Sequence, residues 1–409
     1  MRELAIEKIG AQGDGVTADA VFVPLTLPGE TALCEVIGDR GEPLEILRPS
    51  PDRIAPACPH FGDCGGCALQ HWSSGPYLDW KVEQIRLALG RERIETEFLP
   101  AFAAPPGARR RLALHARKDG GRVRLGFKAR RSWRLVEIEA CPISEPALVA
   151  ALPALCALAR PFLEHPKSAP TLHVTWTLAG LDVDVTGVER RSGGLSADAR
   201  QRAAQAAAAG DMARVTLAGE TVYQARQPAV RLGPALVALP PGAFLQAVAA
   251  AETAMAAYAV DAIAGAERVA DLFCGVGAFT FRLAQVASVH AADVSAPAIR
   301  ALAGALGTAT GLKAIISEAR DLGRRPMLAA EMKKLDAVVF DPPRAGAFEQ
   351  SHEIARSKVG IAVGVSCNPP TFARDARVLV DAGFKLEAVK PIDQFLWSPH
   401  VELVGVFRR

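Results

Sequence analysis

From about residue 243 the chain alternates short apolar runs with helical stretches, and this rhythm constrains the fold more than any other feature. "RVADLF", "SVHAADV", "LKAIISE", "LDAVVFDPP" and "KVGIAVGVSC" read as strands, and "TFRLAQVA" and "PAIRALAGAL" as the helices between them. Parallel strands cannot be joined by a tight turn and need such crossovers. The region therefore predicts a doubly wound parallel sheet of the α/β class. Open sheets of this kind bind ligands outside the carboxyl ends of their strands. Residues at those ends are the first candidates for function.

"VADLFCGVGAFTF" sets Asp271, Gly275 and Gly277 between a strand and a helix. Glycines here let a ligand lie against the backbone near a helix N-terminus, although many such turns use glycine for geometry alone. The next strand ends in Asp293, 22 residues after Asp271, where a carboxylate can take a ribose diol. Thr280 stands where a diphosphate-binding fingerprint would have its last glycine. That favours S-adenosylmethionine (SAM) over NAD. Asp321, near the end of the following strand, can meet an adenine amino group or cap a helix. Cys274, inside the glycine turn, reads as packing.

"VVFDPPRAG" and "VGVSCNPP" close two further strands and present Asp341 and Cys367. Amino-group methyltransferases follow a similar DPP turn with an aromatic residue, whereas Arg344 follows here. A cysteine in a tight turn at a strand end is placed to offer a thiolate; its bland alternative is a small buried hydrophobe. Glu402 sits among Val401, Leu403, Val404 and Val406 in the last strand. Desolvation there raises a carboxylate's affinity for a proton and suits it to act as a base. Strand alternation pointing it to solvent is the competing reading.

Before residue 240 the pattern differs. Residues 1–50 read as short strands and turns, a small β-barrel. Residues 51–239 hold a proline-rich join, a cysteine segment, an amphipathic helix at about 76–93 able to pack on the catalytic unit, and a strand-rich centre. Residues 240–409 form the catalytic unit. "CPHFGDCGGC" places Cys58, Cys64 and Cys67 within ten residues. Sulfur sites usually use four ligands, so a distant partner is implied, and spacing alone suits zinc or an iron–sulfur cluster equally. The formal charge is only +3, yet Arg86 to Arg134 carries 14 Lys or Arg against four acids, with Phe127 and Trp133 among them. That suggests a polyanion-binding face. "MRELAIEKIG" has no apolar signal core, and the alanine-rich run 243–266 is interrupted by Gln246, Glu252 and Asp261, so a cytoplasmic protein is expected.

Taken in order, "GDGV", "LPGE", the cysteine segment with "ALQH", "DLFCGVGAF", "DPPRAG", "SCNP" and "HVE" resemble the bacterial RNA (uracil-5)-methyltransferases. The resemblance is strongest to the 23S ribosomal RNA members with a TRAM domain and a [4Fe–4S] cluster. It implies a Rossmann-like class I SAM-methyltransferase domain preceded by the barrel and a β-rich centre, with RNA as partner. Cluster ligands fall on Cys58, Cys64, Cys67 and Cys141, and cofactor contacts on Gln246, Phe273, Asp293, Asp321 and Asp341. The nucleophile falls on Cys367 and the base on Glu402. The family often has asparagine where this chain has Ala278 and Val248. Transfer RNA as substrate, cytosine as target, and a non-catalytic iron–sulfur RNA-binding module are the alternatives.

Overall fold

A computed structural model describes residues 1–189 and 195–409. Residues Arg2 to Arg48 build a six-stranded sheet closed over Leu4, Ile6, Val21, Val23, Ala32 and Cys34. Its buried Asp14 is ion-paired with Arg40 at 3.1 Å and with Arg130 and Arg131 at 2.6 Å each. Part of the basic stretch thus fastens this unit to the centre. Arg110, Arg122, Arg124 and Arg134 of the same stretch are paired as well, with Glu252, Glu137, Glu137 and Asp63 respectively. Much of the local charge excess answers acids that lie far away in sequence.

The central unit is a seven-stranded sheet in which Arg111–Asp119 lies between Arg122–Lys128 and Thr171–Thr177. Gly180–Thr186 and Arg214–Leu217 pair in parallel, and the alanine-rich helix Ala197–Ala209 lies between them in the chain, as a parallel pair requires. Ser196 caps that helix by accepting from the Ala199 N–H at 3.1 Å.

The catalytic unit is built on a nine-stranded sheet. Its strands lie side by side as Ile315–Ala319, Ser288–Asp293, Arg268–Leu272, Ala337–Phe340, Ile361–Ser366, Glu402–Arg408 and Lys385–Asp393. Counted along the chain, that is the order 3-2-1-4-5-7-6. The five strands of the strand–helix alternation are parallel, as expected, and the sheet is mixed because Glu402–Arg408 runs antiparallel to both neighbours. It follows Lys385–Asp393 after a short loop with no crossover helix, so it can only return alongside. Two short strands, Glu97–Phe98 and Phe102–Ala103, extend the same sheet beside Lys385–Asp393. Helix Ser74–Arg91 buries Ile85, Ala88 and Leu89 against Leu379, Phe384 and Leu403 of the catalytic unit. Among the described residues no helix is long and apolar enough to cross a membrane.

Candidate active site

Three strand ends and one loop converge at one edge of this sheet. Parallel strands Arg268–Leu272, Ala337–Phe340 and Ile361–Ser366 deliver the glycine turn, Asp341 and Cys367. The antiparallel register pairs Ser366 with Leu403, so Cys367 and Glu402 are the next residues across that pair. The fourth contribution, Gln246, comes from the loop before helix Ala249–Ala262.

Hydrogen bonds join these groups into a chain. Gln246 Nε2 donates to Asp341 Oδ2 at 2.9 Å. Gln246 Oε1 accepts from Gln394 Nε2 at 2.7 Å, and the same nitrogen donates to Glu402 Oε2. Gln246, Gln394 and Glu402 are each at most 4 % exposed, so this network lies in low dielectric, where each bond is strengthened. Arg110 fixes the Gln246 loop from the central sheet: its Nε donates to the Gln246 carbonyl at 3.1 Å and its guanidinium pairs with Glu252 at 2.7 Å.

The electrostatics are those of a proton-rich site. Burial, then the charge of Asp341, pushes Glu402 well above the usual carboxylate range. Burial lifts the partly buried Asp341 carboxylate to about 7, against the pull of the Gln246 N–H. The half-buried Cys367 thiol is held up by burial first and then by Glu402 and Asp341, while Arg344 acts the other way. The surrounding turns are rigidly tied. Asn368 Nδ2 donates to the Arg344 carbonyl at 2.9 Å, and Asp375 accepts the Ala347 N–H at 2.6 Å.

At the glycine turn Phe273 adopts φ +63°, Gly275 φ +54° and Gly277 φ +99°. The two glycines serve different ends. A Cβ on Gly277 would lie 2.6 Å from the Phe281 ring, so that glycine allows close packing. A Cβ on Gly275 would meet nothing within 4 Å, which leaves room over the backbone. Asp293 borders this space, accepting from the Gly275 N–H at 3.0 Å and the Ser295 N–H at 2.7 Å. Cys274 is buried in the core cluster. Asp321 lies two residues beyond its strand and accepts from the N–H groups of Gly323 and Arg324 at 3.1 and 3.2 Å, capping its own turn.

Cys58, Cys64, Cys67 and Cys141 line one cavity of about 350 Å³. Gly65 lets the segment approach the central sheet, since a Cβ there would sit 2.8 Å from the Lys128 carbonyl. Burial holds the thiols of Cys58, Cys64 and Cys67 above their usual range, Cys67 up to about 12, and their closeness to Cys141 adds to it. Among the described residues, no group of three or more His, Cys, Asp or Glu is arranged to hold a metal ion. Phe395, Ser398 and His400, from the loop leading to Glu402, line the same cavity.

Sequence reasoning missed Gln394 and Arg110. Gln394 carried only a weak local signal, a polar residue just past the strand Lys385–Asp393 and eight positions before Glu402. Arg110 carried none beyond its charge.

The strand order and the glycine turn flanked by acidic strand ends define a class I, SAM-dependent methyltransferase domain. Residues 235–409 match the family model described as tRNA (Uracil-5-)-methyltransferase. A Caulobacter vibrioides protein described as an uncharacterized RNA methyltransferase is 68 % identical, with 100 % of both chains covered. The 23S rRNA (uracil(1939)-C(5))-methyltransferase RlmD of Halomonas elongata is 35 % identical, covering 98 % of this chain and 88 % of that one. In fold, the chain is similar to a Pyrococcus abyssi tRNA (uracil-54, C5)-methyltransferase solved with S-adenosyl-L-homocysteine. That likeness has a TM-score of 0.73 and 24 % identity over 99 % of each chain. The chain belongs to the RNA (uracil-5-)-methyltransferase family.

Proposed function

We propose that this enzyme methylates carbon 5 of a uridine in 23S ribosomal RNA through a covalent bond between Cys367 and the base. The observation that carries the reading is the meeting of one thiol and two carboxylates at adjoining strand ends, the carboxylates linked to each other by two amides. The 35 % identity to the Halomonas enzyme supports ribosomal over transfer RNA.

Carbon 5 of uracil is a poor nucleophile. The Cys367 sulfur, as thiolate, bonds to carbon 6, and the displaced π pair places electron density at carbon 5. When bound, SAM supplies an electrophilic methyl group for that carbon. Glu402, as carboxylate, then takes the proton from carbon 5; the released pair restores the ring double bond and expels Cys367 as thiolate. Asp341, steadied by Gln246, faces the reacting ring or the cofactor. The open space at Gly275, with Asp293 at its border, fits a nucleoside lying on the backbone, and Gln246, Phe273, Gly277, Asp321 and Asp341 complete the set we assign to the cofactor. A uridine reaching this edge must leave its stack. We assign phosphate contacts to units 1–50, read as TRAM-like, and 51–239, with Trp133, 79 % exposed under Lys128, on their surface.

Four thiols line one cavity, and the resemblance to the family, rather than their spacing, favours a [4Fe–4S] cluster over zinc. Cys58, Cys64, Cys67 and Cys141 would hold it and so tie the segment to the centre. The free thiols suit the cytoplasm, the compartment we assign.

Incubating wild type and Cys367→Ala with RNA and labelled SAM tests the mechanism: undiminished transfer by the variant would refute it. Recovery of 5-methylcytidine instead of 5-methyluridine would refute the target. Protein purified without air should be brown and lose its colour in Cys141→Ser. Colourless wild type with stoichiometric zinc would refute the cluster.

A further inference from the structure

We infer that Gln394 is a positioning residue of this active site, whose side-chain amide orients Gln246 and aims an N–H at the proton-accepting oxygen of Glu402. The inference rests on the mechanism proposed above and adds to it a residue that the family resemblance did not single out.

An isolated glutamine amide can be turned either way. This one cannot. The Val248 backbone N–H lies 3.3 Å from Gln394 Oε1 and can only donate, so the oxygen must face it. Gln394 Nε2 then faces inward, to Gln246 Oε1 at 2.7 Å and to Glu402 Oε2. With its oxygen occupied, Gln246 turns its own nitrogen to Asp341 Oδ2 at 2.9 Å. A backbone donor at one end and carboxylates at the other thus fix the direction of the whole chain. Val248 contributes no side-chain polarity here; the amide comes from Gln394.

Among the described residues, Gln394 is the one hydrogen-bond donor to the Glu402 carboxylate. The charged and titratable groups around Glu402 otherwise oppose its ionisation. Cys367 follows the strand alongside and Asp341 the strand beyond it. Asp393, beside Gln394, is already taken by Lys81 and Tyr77. Arg344, the nearby cation of the DPPR turn, acts on Cys367. A donor favours the charged form of its acceptor. Gln394 therefore keeps Glu402 available as a carboxylate in a setting that would protonate it, and holds its oxygen still.

Gln394→Met keeps the length of the side chain and removes both donors. The acidic limb of its pH–rate profile should move up by about one to two pH units, the size of a hydrogen bond to a charged group. At neutral pH it should also accumulate RNA–protein adduct on denaturing gels, because the proton on carbon 5 leaves slowly while Cys367 still attacks. In a Glu402→Gln background the same change should add nothing to adduct persistence. An unmoved limb with unchanged adduct, or a uniform loss at every pH, would overturn the inference. If the Met variant does not fold, Gln394→Asn, too short to span Gln246 and Glu402, carries the same expectation. Absence of 5-methyluridine from the wild-type reaction would overturn the function itself, and this inference with it.

Discussion

Lys81→Met is expected to destabilise the catalytic unit by about 3–5 kcal/mol, the cost of stripping one partner from a buried ion pair. Lys81 and Asp393 are both fully enclosed. Burial brings the Lys81 ammonium down to about 8, which still leaves it charged at neutral pH. Lys81 also donates to the Phe395 carbonyl at 3.0 Å, and Tyr77 Oη donates to Asp393 Oδ2 at 2.7 Å. Methionine fills the volume but leaves Asp393 with Tyr77 alone, while the Phe395 carbonyl keeps only its bonds from Ser398. Thermal unfolding followed by circular dichroism should show the transition of this unit fall by about 6–20 °C. Adding Asp393→Asn should recover about 1 kcal/mol or more, since the pair is then removed together. A loss below about 0.5 kcal/mol, as at a surface site, would refute the reasoning. So would strict additivity in the double variant. Methyl transfer should fall as well, because Asp393 adjoins Gln394.

The two glycines of the turn assigned to the cofactor should separate stability from binding. Gly277→Ala should cost about 1–3 kcal/mol from overpacking on Phe281, plus left-handed strain. Gly275→Ala should cost about 1 kcal/mol yet weaken SAM binding at least about tenfold by calorimetry; equal affinity would refute the assigned cofactor space. Asp271 is buried, accepts from Thr280 at 2.5 Å, and is raised by burial to about 7. Because the native carboxyl keeps a proton that the unfolded chain has released, stability should fall as pH rises from about 4 to 7, by about 4 kcal/mol for this group. Urea titrations at several pH values should show Asp271→Asn flattening that slope, and an unchanged slope would refute the assignment.

The sequence made the strand–helix alternation and the strand-end residues legible, because apolar runs and glycine or proline turns are local signals. What it left hidden depends on distant partners. Arg110 reads as one more charge in a basic stretch until Glu252 and the Gln246 carbonyl are placed against it. Arg130 and Arg131 read as a polyanion surface until Asp14 lies beneath them. Glu97–Phe98 and Phe102–Ala103 are too short to show a period. Asp321 caps a turn, where its position in the sequence allowed an adenine contact or a helix cap. Gln394 needed the Val248 N–H, 146 positions away, before its orientation meant anything.

The reversed last strand, which no apolar pattern can reveal because such patterns carry no direction, is what makes the site possible. Glu402 is the first residue of Glu402–Arg408. Were that strand parallel to its neighbours, its first residue would sit at the amino edge of the sheet. A seven-residue strand rises about 3.3 Å per residue, so Glu402 would stand about 20 Å from the thiol. Running antiparallel, it starts where Ile361–Ser366 ends, beside Cys367. The short return loop that forces the reversal also carries Gln394 and Trp397. Ala68 and Leu69, directly after the cysteine segment, donate to the Trp397 carbonyl at 2.8 and 3.0 Å, and Tyr77 Oη accepts the Trp397 N–H at 2.7 Å. One loop therefore brings Cys367 and Glu402 together and is itself held by the segment that follows Cys67.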